Sequence, residues 1–116
     1  MSDYHEPAEE MSAQDRNIIR ALKSFREEIE AIDWYHQRVA VCTDEHLKAI
    51  LIHNRDEEIE HALMTLEWLR RNMDGWDEEM KTYLFTEGDI TELEEEEEES
   101  GGEEKSPDLG IGSQKS

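Results

Sequence analysis

Residues 47–72 read LKAILIHNRDEEIEHALMTLEWLRRN. Leu47, Leu51, Thr65, Trp68 and Asn72 recur in this stretch by threes and fours, and Asn54, Glu58 and His61 fall on the same line, in its middle. Alternating steps of three and four mark one face of an α-helix. The line is apolar towards its ends and polar at its centre. Burying charge on a core-facing stripe costs several kcal/mol unless the charge is paired or bound to a metal. The stretch therefore predicts a long helix that carries a polar site on its inner face.

Working outward, Thr43 reads as the N-cap of this helix, with Asp44 and Glu45 at its positive end. Arg70 and Arg71 complement the last turn near Asn72, and Asp74-Gly75 stops it. Upstream, Ile18, Leu22, Phe25, Ile29, Ile32 and Val39 show the same spacing, and Ser12 followed by Asp15 marks a helix start. No Gly or Pro occurs between residues 12 and 74, so the break falls at Val41-Cys42-Thr43. Two long helices joined by a tight turn form an antiparallel hairpin. A short third helix is expected from Trp76 to about Leu84, because Trp76, Met80, Tyr83 and Leu84 share a face. The predicted class is all-α. Residues 1–11 read as a mobile arm, 12–88 as the helical domain, 89–107 as an acidic disordered linker and 108–116 as a terminal peptide.

The chain has 116 residues, with 12 Lys and Arg against 32 Asp and Glu, a formal charge of -20. Such a polyanion is repelled by nucleic acid and by anionic membrane surfaces. No run of about 18 apolar residues exists, so no span of a bilayer is expected. Residues 1–11 lack an apolar stretch and do not read as a secretory signal. The single Cys42 suits a reducing compartment, and together these features predict a soluble cytosolic protein. Residues 87–116 hold 12 acidic and 2 basic side chains, half of the net charge in a quarter of the chain. About 75 residues are left to fold, a small core that needs help from oligomerisation, a metal or both.

On the first helix Ala21, Phe25, Ile32, Tyr35 and Val39 form a line that Glu28 interrupts. Glu28 lies 14 residues before Cys42 and Glu58 lies 16 after it. A hairpin then places them within about 3 Å of the same height, and Glu28, Glu58 and His61 should converge. Di-iron carboxylate bundles use a Glu from each of two helices and a Glu-x-x-His from each of the other two. This chain carries one of each, half a site, which a two-fold dimer would complete. Glu58 and His61 also read simply as a solvated pair on a misjudged face, since a Glu-rich helix shows this spacing by chance. His36 and His53 read as surface or supporting groups, and Glu27, Glu30, Asp56, Glu57 and Glu60 as a solvated acidic face that attracts cations. Trp34, Trp68 and Trp76 read first as core or interface aromatics.

Residues 29–39 (IEAIDWYHQRV), 53–62 (HNRDEEIEHA), 64–72 (MTLEWLRRN), 82–88 (TYLFTEG) and 108–113 (DLGIGS) closely resemble the encapsulated ferritins. The resemblance implies a ferritin-like four-helix bundle made from two hairpins, and a decameric ring of such dimers. It implies a ferroxidase centre across the dimer interface, with two Fe per dimer site held by Glu28, Glu58 and His61 of both chains. It further implies metal entry at Glu27 and Glu30, and Trp34 and Tyr35 beside the centre. Leu109, Gly110, Ile111, Gly112 and Ser113 would target the protein to an encapsulin shell, a nanocompartment in the bacterial or archaeal cytoplasm. Gln114 stands where the family has Leu, which would weaken docking by about 1–2 kcal/mol. The resemblance thus points to Fe(II) oxidation for storage inside the shell. The competing expectation is a non-enzymatic acidic helical metal buffer or scaffold.

Overall fold

The computed structural model describes residues 4–96. The element order is a 3₁₀ turn at Ala8–Glu10, then α1 (Ala13–Val41), α2 (Glu45–Asn72) and α3 (Trp76–Tyr83). The described residues contain no strand, and none of the helices is long and apolar enough to cross a membrane. The two long helices form the expected hairpin. The 3₁₀ turn lies within the segment expected to be a mobile arm.

Ser12 caps α1 as its position predicts, its hydroxyl accepting from Asp15 N–H at 2.9 Å. The cap of α2 falls one residue later than expected. Asp44 Oδ1 accepts from Leu47 N–H at 2.9 Å and the Asp44 carbonyl from Lys48 N–H at 2.8 Å. Asp44 offers a carboxylate to the helix's positive end, and charge strengthens a capping bond that a neutral Thr43 hydroxyl would make more weakly.

The chain divides into two units, the first ending at Leu69 and the second beginning at Arg70. In the first unit only Val39, Ala62 and Leu69 are buried among the described residues, Leu69 completely. Helical spacing puts apolar residues on both flanks of the α2 stripe that meets α1. One flank carries Leu47, Ile50 and Trp68, with His61 among them; the other carries Ile52, Ile59, Leu63 and Leu66. Ile59 is 42% and Leu63 52% exposed. Asp56, Glu57 and Glu60 take the remaining, exposed face.

In the second unit Gly75 takes φ 105°, a left-handed conformation that lets the chain turn sharply into α3. Asp77, in the first turn of α3, accepts from Arg70 Nη1 at 2.6 Å and pairs with Lys81 Nζ at 3.0 Å. The hydrogen bond from Lys81, then that from Arg70, holds the Asp77 carboxyl below the usual carboxylate range. Trp76 Nε1 donates to Met73 Sδ at 3.3 Å.

The acidic segment expected from residue 89 to be without structure begins as a helix over residues 90–96. Asp89 caps it, accepting at Oδ1 from Thr91 N–H (3.0 Å) and from the Thr91 hydroxyl (2.8 Å). Glutamates in a first helical turn are favoured by the positive end of the helix, which offsets part of their mutual repulsion. The remainder of the linker and the 108–116 peptide lie outside the described residues.

Candidate metal centre

Glu58 and His61 stand one turn apart on α2, with Glu58 Oε1 at 3.6 Å from His61 Nδ1. The other ring nitrogen, Nε2, lies 3.9 Å from Glu57 Oε1. Glu57 in turn approaches His53, at 4.0 Å between Oε2 and Nε2. The result is a ladder of His53, Glu57 and His61 at four-residue steps, joined by Glu58. Glu58 is the most sheltered of the group, its side chain 27% exposed.

Glu28 arrives from α1, but not where the turn arithmetic puts it. Its Oε1 accepts from the Thr65 hydroxyl at 3.3 Å. Thr65 is seven residues beyond Glu58, about 10 Å along the helix. A second contact across the hairpin, His36 Nδ1 to Arg55 Nη1 at 3.2 Å, shows the same offset. Both pairs are centred near residue 46 rather than on the Cys42–Thr43 break. Side-chain direction contributes, because helical side chains lean towards their own N-terminus. For Glu28 that lean runs along the antiparallel partner towards its C-terminal end, away from Glu58. The structure thus brings Glu58 and His61 together and sets Glu28 against Thr65. Among the described residues no three His, Cys, Asp or Glu side chains gather to hold a metal within one chain.

The other expected residues surround this patch. Glu27, Glu30 and Trp34 are exposed, and Tyr35 is half-buried with the Arg38 guanidinium 5.3 Å above its ring. Beside Thr65 an open cleft of about 350 Å³ is lined by Arg20, Ala21, Ser24, Met64, Thr65 and Trp68. Sequence reasoning placed Glu57 on a solvated face and gave Thr65 no polar role. The four-residue steps from His53 to Glu57 to His61 to Thr65 were the available signal.

Carboxylate oxygen and imidazole nitrogen suit iron among the first-row metals. The separation of Glu58 Oε1 and His61 Nδ1, 3.6 Å, exceeds a hydrogen bond. It is near the spacing of roughly 3–3.6 Å that two ligands adopt when each lies about 2.1 Å from a shared cation. A carboxylate and an imidazole at this spacing are compatible with iron.

A family model described as EncFtn-like matches residues 3–87. A ferritin-like protein of Thermotoga maritima is 62% identical over 109 residues, covering 93% of this chain and 94% of that protein. An encapsulated ferritin-like protein of Rhodospirillum rubrum is 60% identical over 90 residues, 78% of this chain and 64% of the length of that protein. The crystal structure of a protein from Nitrosomonas europaea superposes with a TM-score of 0.73 at 55% identity, covering 77% of this chain and 99% of that one. With the helical hairpin, the Glu58-x-x-His61 pair and these likenesses in place, the chain belongs to the EncFtn-like family of encapsulated ferritins.

Proposed function

We propose that this chain is a ferroxidase whose centre is assembled from two copies. The observation that carries the reading is a half-built site. A carboxylate and an imidazole share one flank of α2, and Glu28 meets Thr65 one turn beyond His61, on a hairpin that buries only three residues by itself. A two-fold axis through that flank supplies four carboxylates and two imidazoles, the complement of a di-iron carboxylate bundle. Four negative charges balance two Fe(II) ions, so the substrate neutralises what burial alone would oppose. Each Fe(II) gives one electron and leaves as Fe(III), so that a pair of Fe(II) with two protons reduces O2 to H2O2, and two pairs with four protons reduce it to water. The protein's part is to hold hard oxygen ligands that favour the product ion.

Glu27 and Glu30, exposed on α1, would gather cations on the way in. Trp34 and Tyr35 would sit beside the centre. The second apolar flank, with Ile59 and Leu63, gives each dimer a surface for its neighbours, as a decameric ring requires. Residues 108–113 would hold the ring to an encapsulin shell, and the Rhodospirillum relative's name supports residence in that compartment.

The test is Fe(II) mixed anaerobically with protein and then exposed to O2, with oxygen uptake and Fe(III) absorbance followed. Wild-type protein should oxidise iron faster than the buffer blank, and Glu58→Ala should lose most of that excess. Equal rates in both proteins would contradict the assignment. A rate no faster than the blank in wild type would leave a metal buffer.

A further inference from the structure

Thr65 joins α1 to α2 at the candidate centre through a hydroxyl that carries one hydrogen and faces two acceptors. Glu28 Oε1 and the His61 carbonyl oxygen each lie 3.3 Å from Thr65 Oγ1. The bond back to a carbonyl four residues earlier is ordinary behaviour for threonine in a helix. The other acceptor is a carboxylate 37 residues away on the opposite helix. Both distances are longer than the usual O–H···O bond of about 2.5–3.0 Å, and the one hydrogen serves only one acceptor at a time. An ionised carboxylate is the stronger of the two.

From this we infer that Thr65 is a positioning residue. Its hydroxyl holds the Glu28 carboxylate by one oxygen at the level of Thr65, one turn beyond His61, and leaves the other oxygen to the metal of the assembled centre. The inference rests on the ferroxidase reading above. A glutamate on a helix surface samples several rotamers, and tethering one oxygen removes most of them before metal arrives. Thr65 also touches the His61 carbonyl, so the hydroxyl that meets Glu28 stands one helical turn from the His61 ligand. Hydrogen bonds to ligating carboxylates generally matter to metal affinity in this way.

The experiment uses full-length wild type, Thr65→Val, Thr65→Ser and Glu58→Ala. Val keeps the branched shape without a donor, and Ser keeps the donor. Anaerobic titration with Co(II), followed by its visible absorption, gives affinity, and initial Fe(II) oxidation rates at varied Fe(II) give KM and kcat. Thr65→Val should weaken Co(II) binding by about tenfold and raise KM more than it lowers kcat, and Thr65→Ser should restore both. Wild-type affinity in Thr65→Val at unchanged helicity, or Thr65→Ser as weak as Val, would overturn the assignment. If Thr65→Val does not fold, Thr65→Ala against Thr65→Ser decides by the same criteria. Glu58→Ala separates the two levels of the argument. Lost binding there with intact binding in Thr65→Val removes only the role of Thr65. Intact binding in Glu58→Ala moves the centre elsewhere and removes both.

Discussion

In the α1–α2 hairpin, residues such as Ile50, Ile59 and Leu63 remain half exposed, while the ionisable groups of the centre sit 3.6–4.0 Å apart without a short bond among them. From Arg70 onward Leu84, Phe85 and Ile90 are exposed too, but the charges are treated differently. Asp77 is clasped at 2.6 and 3.0 Å by Arg70 and Lys81, seven residues before it and four after it. The second region satisfies its charges locally, through neighbours in sequence. The first leaves Ile50, Ile59 and Leu63 exposed and the Glu58–His61 pair without a short bond, and on the proposed reading a second chain completes both. Short contacts between sequence neighbours fix a helix end, whereas a contiguous exposed apolar flank marks a surface for interaction.

That contrast breaks most visibly at Leu63. It is half exposed in one chain, so Leu63→Glu should leave the hairpin's helicity intact while eliminating the larger species in sedimentation. A charge buried without a partner at an interface costs several kcal/mol. An unchanged assembly would mean that this flank faces solvent, and the hairpin would then be no less self-contained than the segment after it. Within the hairpin, removal of the α2 cap by Asp44→Ala should lower stability by about 1 kcal/mol, read as a shift in urea midpoint at unchanged slope.

The smallest effect belongs to the clasp. The Asp77 carboxyl titrates below its ordinary range, chiefly because of Lys81 and then Arg70. A carboxyl whose folded pKa is depressed contributes stability above its unfolded pKa and loses it as pH falls through the folded one. Trp76 fluorescence should therefore report loosening of α3 only in acid, below the usual carboxylate range. Asp77→Asn should show little dependence there. A wild-type response already at pH 6 would place its source in another group.

The helices were legible because their signals are local. The spacing of Ile18 to Val39, the Ser12 cap and the Asp74-Gly75 stop each act over a few residues. Glu58 and His61 were legible for the same reason, being one turn apart on one helix. The level of Glu28 was not, because it depends on how a three-residue turn hands one helix to the next, and that offset brought Thr65 into its place. The helix over residues 90–96 was hidden by its own charge. A glutamate run reads as repulsion, and the Asp89 cap that offsets it is a single residue.

The central claim is that the metal centre belongs to two chains. Crystals grown with Fe(II) under anaerobic conditions and measured at the iron absorption edge test it directly. Anomalous peaks should lie on a two-fold axis or astride it, contacted by Glu58 and His61 of both chains and by Glu28. Peaks bound by the residues of one chain alone, or none near Glu58, would contradict it.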